Sequence, residues 1–76
     1  MQSRRSRQQI EQIDALESWE KYLGIPEHAN ILYGSRRLGL NWRTYWNYRR
    51  GVHRMPSHIY HAMRNIANGE PAWGKE

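Results

Sequence analysis

At 76 residues, the chain makes one domain and hides only about 60% of the surface it exposes when unfolded, which leaves little room for a deep catalytic pocket. The absence of cysteine removes disulfide staples and thiolate metal sites together. With no long apolar run and no apolar signal core after Met1-Gln2-Ser3-Arg4-Arg5, the expectation is a soluble, cytoplasmic protein. The formal net charge of +5 is segregated along the chain. Arg4, Arg5 and Arg7 open it, and Glu11, Asp14, Glu17, Glu20 and Glu27 against Lys21 make the next stretch acidic. From Arg36 to Arg64 there are then seven arginines and no acidic residue. A solvated face normally interleaves both signs, so an unmixed block of this kind is an electrostatic footprint for a polyanion.

Gly and Pro divide the sequence into four helical pieces, with no strand signal and no internal repeat, so the expected fold class is all-α. Residues 1–5 read as a basic, flexible arm, residues 6–69 as the folded domain and residues 70–76 as a flexible tail from which Trp73 can fold back. The first helix is expected from Ser6 to Leu23, with Ile10, Ile13, Leu16 and Leu23 recurring at helical spacing. Ser6 with Gln9 matches a capping box, and Gly24 stands where a left-handed C-terminal residue is wanted. Pro26 is placed in the first turn of a second helix that runs through Ile31, Leu32 and Ser35 to Leu38.

Gly39 ends that helix, and Asn41 is a good N-cap for a third, whose side-chain oxygen can accept from the N–H of Arg43 or Thr44. The third helix runs to Arg49 or Arg50 and is stopped by Gly51. After the loop Val52-His53-Arg54-Met55, Pro56 opens a fourth helix with the apolar face Ile59, Ala62, Met63 and Ile66. Gly69 and Pro71 end it.

Two short helices joined by a tight Gly turn, the second one basic, make a helix-turn-helix candidate. Ser35 is small where the two helices approach, Leu38 and Leu40 clamp the turn, and Tyr45 and Tyr48 face the core. That leaves Trp42, Arg43, Trp46, Asn47, Arg49 and Arg50 on the outward face of the third helix. Leu38-Gly39-Leu40-Asn41, then Tyr48-Arg49-Arg50-Gly51, then Arg54-Met55-Pro56, resembles the helix-turn-helix of phage Cro and repressor proteins and is similar to short anti-CRISPR-associated regulators. The resemblance covers Pro26 to Ile66, and Gly34 and the two bulky Trp residues depart from it. It implies a homodimer that binds an inverted-repeat operator in double-stranded DNA and regulates transcription, most simply as a repressor, inside a bacterial host cell.

On this reading Trp42, Arg43, Trp46, Asn47 and Arg50 read bases, while Arg36, Arg37, Asn41, Arg49 and Arg54 hold phosphates. The alternative for Trp42 and Trp46 is core or dimer packing, since Trp is usually largely buried. The expected dimer surface is the first helix, where Ile10, Ile13, Leu16 and Trp19 offer more apolar surface than a small core needs. Tyr60 and Met63 on the fourth helix are the second choice. His53, His58 and His61 lack a carboxylate or thiolate to complete a metal site. No nucleophile stands beside a base, so neither cofactor, metal nor enzymatic activity is expected. A different class, a protein-interaction module such as an inhibitor or antirepressor, would use the same aromatic and Arg surface.

Overall fold

The computed structural model describes residues 6–73. The expected arm at residues 1–5 and the last three residues of the expected tail lie outside the described residues. The fold is all-α, with four helices: α1 (Arg7–Leu23), α2 (Asn30–Leu38), α3 (Trp42–Arg49) and α4 (Ser57–Ala67). No strand occurs among the described residues, and no helix there is long and apolar enough to cross a membrane.

α1 starts at the capping box read from the sequence. The Ser6 Oγ accepts from the Gln9 N–H at 3.1 Å, and the Gln9 Oε1 accepts from the Ser6 N–H at 2.7 Å, so two otherwise orphaned donors are satisfied reciprocally. α2 begins later than expected. Pro26 is extended, Glu27–Ala29 form a single 3₁₀ turn, and Ala29 leaves helical geometry at φ −132° and ψ 26°, so the turn and α2 do not run on as one helix. Gly39 then reverses the chain in the left-handed conformation (φ 68°), and the Leu40 N–H donates to the Ser35 carbonyl at 2.9 Å. This is the close of α2 that a residue with a Cβ adopts poorly. Asn41 caps α3 as expected, its Oδ1 accepting from the Arg43 N–H at 2.9 Å.

α2 packs against α3, and α1 lies across both α3 and α4. Between them sits one core of Leu16, Trp19, Leu38, Tyr45, Met55, Ile59, Ala62 and Met63, with Leu40, Tyr48 and Ile66 packed at its edge. The Trp19 indole N–H donates to the Met63 carbonyl at 2.9 Å, satisfying the polar end of a buried ring. The apolar side chains expected to serve a partner are largely used within one copy of the chain: Ile13, Leu16 and Trp19 are buried, while Ile10 stays exposed. In so small a domain the longest helix has to supply much of the core.

The described part of the tail is tied to the body as well. The Glu70 N–H donates to the Asn65 carbonyl at 2.7 Å and the Asn65 Nδ2 to the Ala72 carbonyl at 3.2 Å. Ala72 packs on the core, and the Trp73 ring lies 6.0 Å from the His58 ring. Residues 70–73 are thus drawn back onto the body, because Asn65 supplies both hydrogen-bonding ends that the segment needs.

Candidate nucleic-acid interface

Gly34 sets how closely α3 approaches α2. A Cβ built on Gly34 would stand 2.5 Å from Tyr45 Cζ and 2.6 Å from Tyr45 Oη, so the Tyr45 ring lies directly against the Gly34 backbone. The close contact falls at Gly34, one residue before the Ser35 expected to provide it. Ser35 is buried beside it, its hydroxyl donating to the Leu32 carbonyl at 3.0 Å.

The Tyr45 hydroxyl donates to Glu20 in the interior. Burial, then the bond to Glu20 and the charge of Glu20, raise the Tyr45 pKa against the opposing pull of Arg49. The phenol therefore remains a donor across ordinary pH. Glu20 also accepts from Arg49 Nε at 3.2 Å, and Glu17 accepts from Arg49 Nη1 at 3.2 Å. Burial disfavours the Arg49 charge, but the bond to Glu20 and the charges of Glu20 and Glu17 outweigh it, so its pKa is raised. Asn30 Nδ2 donates to the other Glu20 oxygen at 3.4 Å. One carboxylate on α1 thereby ties down α3 and the start of α2.

The far end of α3 is fixed by two glutamines of α1. Gln12 is 4% exposed, and its Nε2 donates to the Tyr48 carbonyl at 2.8 Å and the His53 carbonyl at 2.9 Å. Its Oε1 accepts from the Met55 N–H at 2.7 Å. Gln9 Nε2 donates to the Gly51 carbonyl at 2.9 Å. A single side chain in the peptide-like register of Gln satisfies three backbone groups that would otherwise be stranded at the helix end. Among the described residues, no buried side-chain nitrogen or oxygen lacks a partner.

With its inner face fixed, α3 presents the opposite face to solvent. Trp42 is 51% and Trp46 41% exposed, which places both outside the core and removes the packing alternative within one chain. Their ring centroids are 6.2 Å apart with planes at 44°. The Arg43 guanidinium lies 5.3 Å from the Trp42 centroid and that of Arg50 4.3 Å from the Trp46 centroid. Asn47 is half-buried between them, while Asn41 stands exposed at the mouth of the helix. Arg36 and Arg37 are exposed on α2, and Arg54 on the loop before α4.

Arg49 is the exception in the expected set. It points towards α1, its side chain is 17% exposed, and its charge is matched by Glu17 and Glu20. Its place in the helix explains this. Counting from the outward pair Trp42 and Trp46, Arg49 follows the inward Tyr45 by four residues and so shares Tyr45's face. The histidines do not gather: among the described residues no three His, Asp or Glu side chains come together as a metal site, and His58 sits beside Trp73 instead.

Gln9, Gln12 and Glu20 are the functional-site residues missed in the sequence. A signal for them existed. Gln12 and Glu20 lie on the same helical stripe as Ile13, Leu16 and Trp19, and a polar side chain on an inward stripe requires a buried partner. No protein-family model, no curated protein and no solved structure matches this chain.

Proposed function

We propose that this chain is a sequence-specific double-stranded-DNA-binding regulator of helix-turn-helix type, a repressor that inserts α3 into the major groove. Arg43, Trp46, Asn47 and Arg50, with Trp42 beside them, face the base edges, while Arg36, Arg37 and Arg54 take phosphates and Asn41 brings the positive end of α3 close to one. One observation carries most weight. Of the seven arginines between residues 36 and 64, six are exposed, whereas the seventh, Arg49, is neutralised by Glu17 and Glu20. The acidic residues of α1 thus quench the one arginine that faces inward and leave the outer α2–α3–α4 surface uniformly positive. The resemblance to phage Cro and repressor proteins supports the same reading and adds a homodimer on an inverted repeat.

Selection of bound duplexes from a random DNA pool tests it. The expected outcome is an enriched, two-fold symmetric site bound with strong salt dependence. Three phosphate contacts per chain give a slope of about −3 in log affinity against log salt. Failure to enrich any duplex, together with binding indifferent to salt, would overturn the reading. A second reading, a protein-interaction module such as an inhibitor or antirepressor, is favoured by the exposed Leu32 on α2, which lines a shallow depression together with Trp42, and it predicts retention of a protein partner in place of an enriched duplex.

A further inference from the structure

Trp42, Trp46 and Arg50 stand at positions i, i+4 and i+8 and so form one column along α3, about 12 Å from end to end. That length spans between three and four base-pair steps at about 3.4 Å each. Within the column the aromatic and cationic groups are not independent. The Arg50 guanidinium lies over the Trp46 ring at 4.3 Å from its centroid, and Arg50 makes no ion pair among the described residues, where Arg49 holds both. An exposed arginine ordinarily samples many rotamers, and a long side chain loses up to about 2 kcal/mol of conformational freedom when it is fixed. A guanidinium already seated on an indole has given up part of that freedom before it meets a ligand, so less is lost on binding. Its N–H groups project from the edge of the plane and remain free to donate.

Trp46 is 41% exposed even with Arg50 over it. All of the indole but its single N–H is apolar, and the ring stands beside the guanidinium it holds. In the major groove, guanine offers the N7 and O6 acceptors that match the arginine fork, and thymine is the base that displays a methyl group. An apolar edge next to an oriented fork therefore matches a guanine beside a thymine.

We propose that Trp46 and Arg50 act as one reading unit for adjacent guanine and thymine in duplex DNA, Arg50 donating to guanine N7 and O6 while the exposed Trp46 indole packs on the thymine methyl. This rests on the duplex-DNA reading above and specifies what that surface recognises. Arg43 on Trp42, at the looser 5.3 Å, repeats the arrangement nearer the start of the helix. Trp46 is a contact residue and also the positioning residue for Arg50.

The test changes single atoms of the DNA and leaves the protein intact, so folding does not enter. A duplex is first selected from a random pool, then remade with 7-deazaguanine in place of each guanine and with uracil in place of each thymine. Both analogues preserve base pairing. At one guanine per half-site, loss of N7 is expected to weaken binding about tenfold, and at the adjoining thymine, loss of the methyl is expected to weaken it about fourfold. In Arg50→Ala, which removes the donor altogether, the 7-deazaguanine penalty should vanish. In Trp46→Ala, both penalties should shrink, because the methyl contact and the support of Arg50 go together. A selected site indifferent to both analogues, or sensitive at guanine and thymine positions that are not adjacent, overturns the reading unit and leaves duplex recognition standing. Tighter binding to single strands than to any duplex overturns both, and would make the two indoles a stacking platform for unpaired bases.

Discussion

Gly34 and Arg49 have residue types that misstate their roles, each in a different way. On propensity alone Gly34→Ala would stabilise α2 by about 1 kcal/mol, but the new methyl carbon would fall 2.5 Å from Tyr45 Cζ. Tyr45 is wholly buried and has no free space to retreat into. Overpacking of this kind costs about 1–3 kcal/mol, so Gly34→Ala is expected to lower the urea midpoint, and a raised midpoint would show that the ring gives way. Arg49 counts as one more positive charge in the sequence, yet it is tied to Glu20 and Glu17. Arg49→Ala leaves the buried Glu20 without its cation, which costs about 3 kcal/mol, while the salt slope of DNA binding should stay at its original value because no phosphate contact is lost. A shallower slope at unchanged stability would return Arg49 to the phosphate-binding set. Neither role was legible beforehand. A contact between residues 34 and 45 and a pairing between residues 20 and 49 follow from how helices cross, and periodicity within each helix does not carry that information.

At the scale of elements, local chemistry was read more faithfully than the way elements hold one another. The Ser6 box, the Asn41 cap and the Gly24 and Gly39 reversals stand where the sequence puts them, because each is settled within four residues along the chain. The start of α2 was misplaced: Pro26 is compatible with a first turn, but nothing in its vicinity reveals that Ala29 leaves helical geometry. α1 reads as a generic amphipathic helix, whereas its polar residues hold the second half of α3 and the loop after it, Glu20 through Tyr45 and Arg49 and Gln12 through the Tyr48 and His53 carbonyls. Gln12→Ala removes one buried and two part-buried bonds to backbone groups and should lower stability by about 1–3 kcal/mol. The Met55 amide, which donates to Gln12 at 2.7 Å, should lose protection from hydrogen exchange ahead of amides in the middle of α4. Uniform loss of protection across the domain would mean that Gln12 contributes to global stability without specifically fixing this junction.

Across the described residues the charges are segregated: Glu11, Asp14, Glu17 and Glu20 lie along α1, and the arginines from Arg36 to Arg64 over α2, α3, α4 and the loop before it. The order of charges was visible in the sequence, but which of them remain free was not. The same division bears on assembly. α1 was the expected dimer surface, and its Ile13, Leu16 and Trp19 are consumed by the core. Of the second pair, Met63 is buried and Tyr60 is 39% exposed, while Ile10 of the first set keeps 48% exposure, so Ile10 and Tyr60 are the residues of the two expected interfaces left open to a second copy. On the proposed reading, a single eight-residue helix offers few base contacts, and a two-fold pair bound to half-sites about 34 Å apart doubles them. Light scattering should therefore report twice the chain mass, either alone or on the selected duplex. Leu16→Asp places a charge at a position with no exposure and should abolish the helical circular dichroism altogether. Tyr60→Arg alters only a partly exposed ring, so it should keep the helical spectrum while giving a monomer that binds a half-site more weakly than the parent binds the full operator. A Tyr60→Arg variant that remains dimeric would move the interface elsewhere, and a folded parent monomer occupying a non-symmetric duplex one to one would remove the dimer from the proposal while leaving α3 as the reading helix.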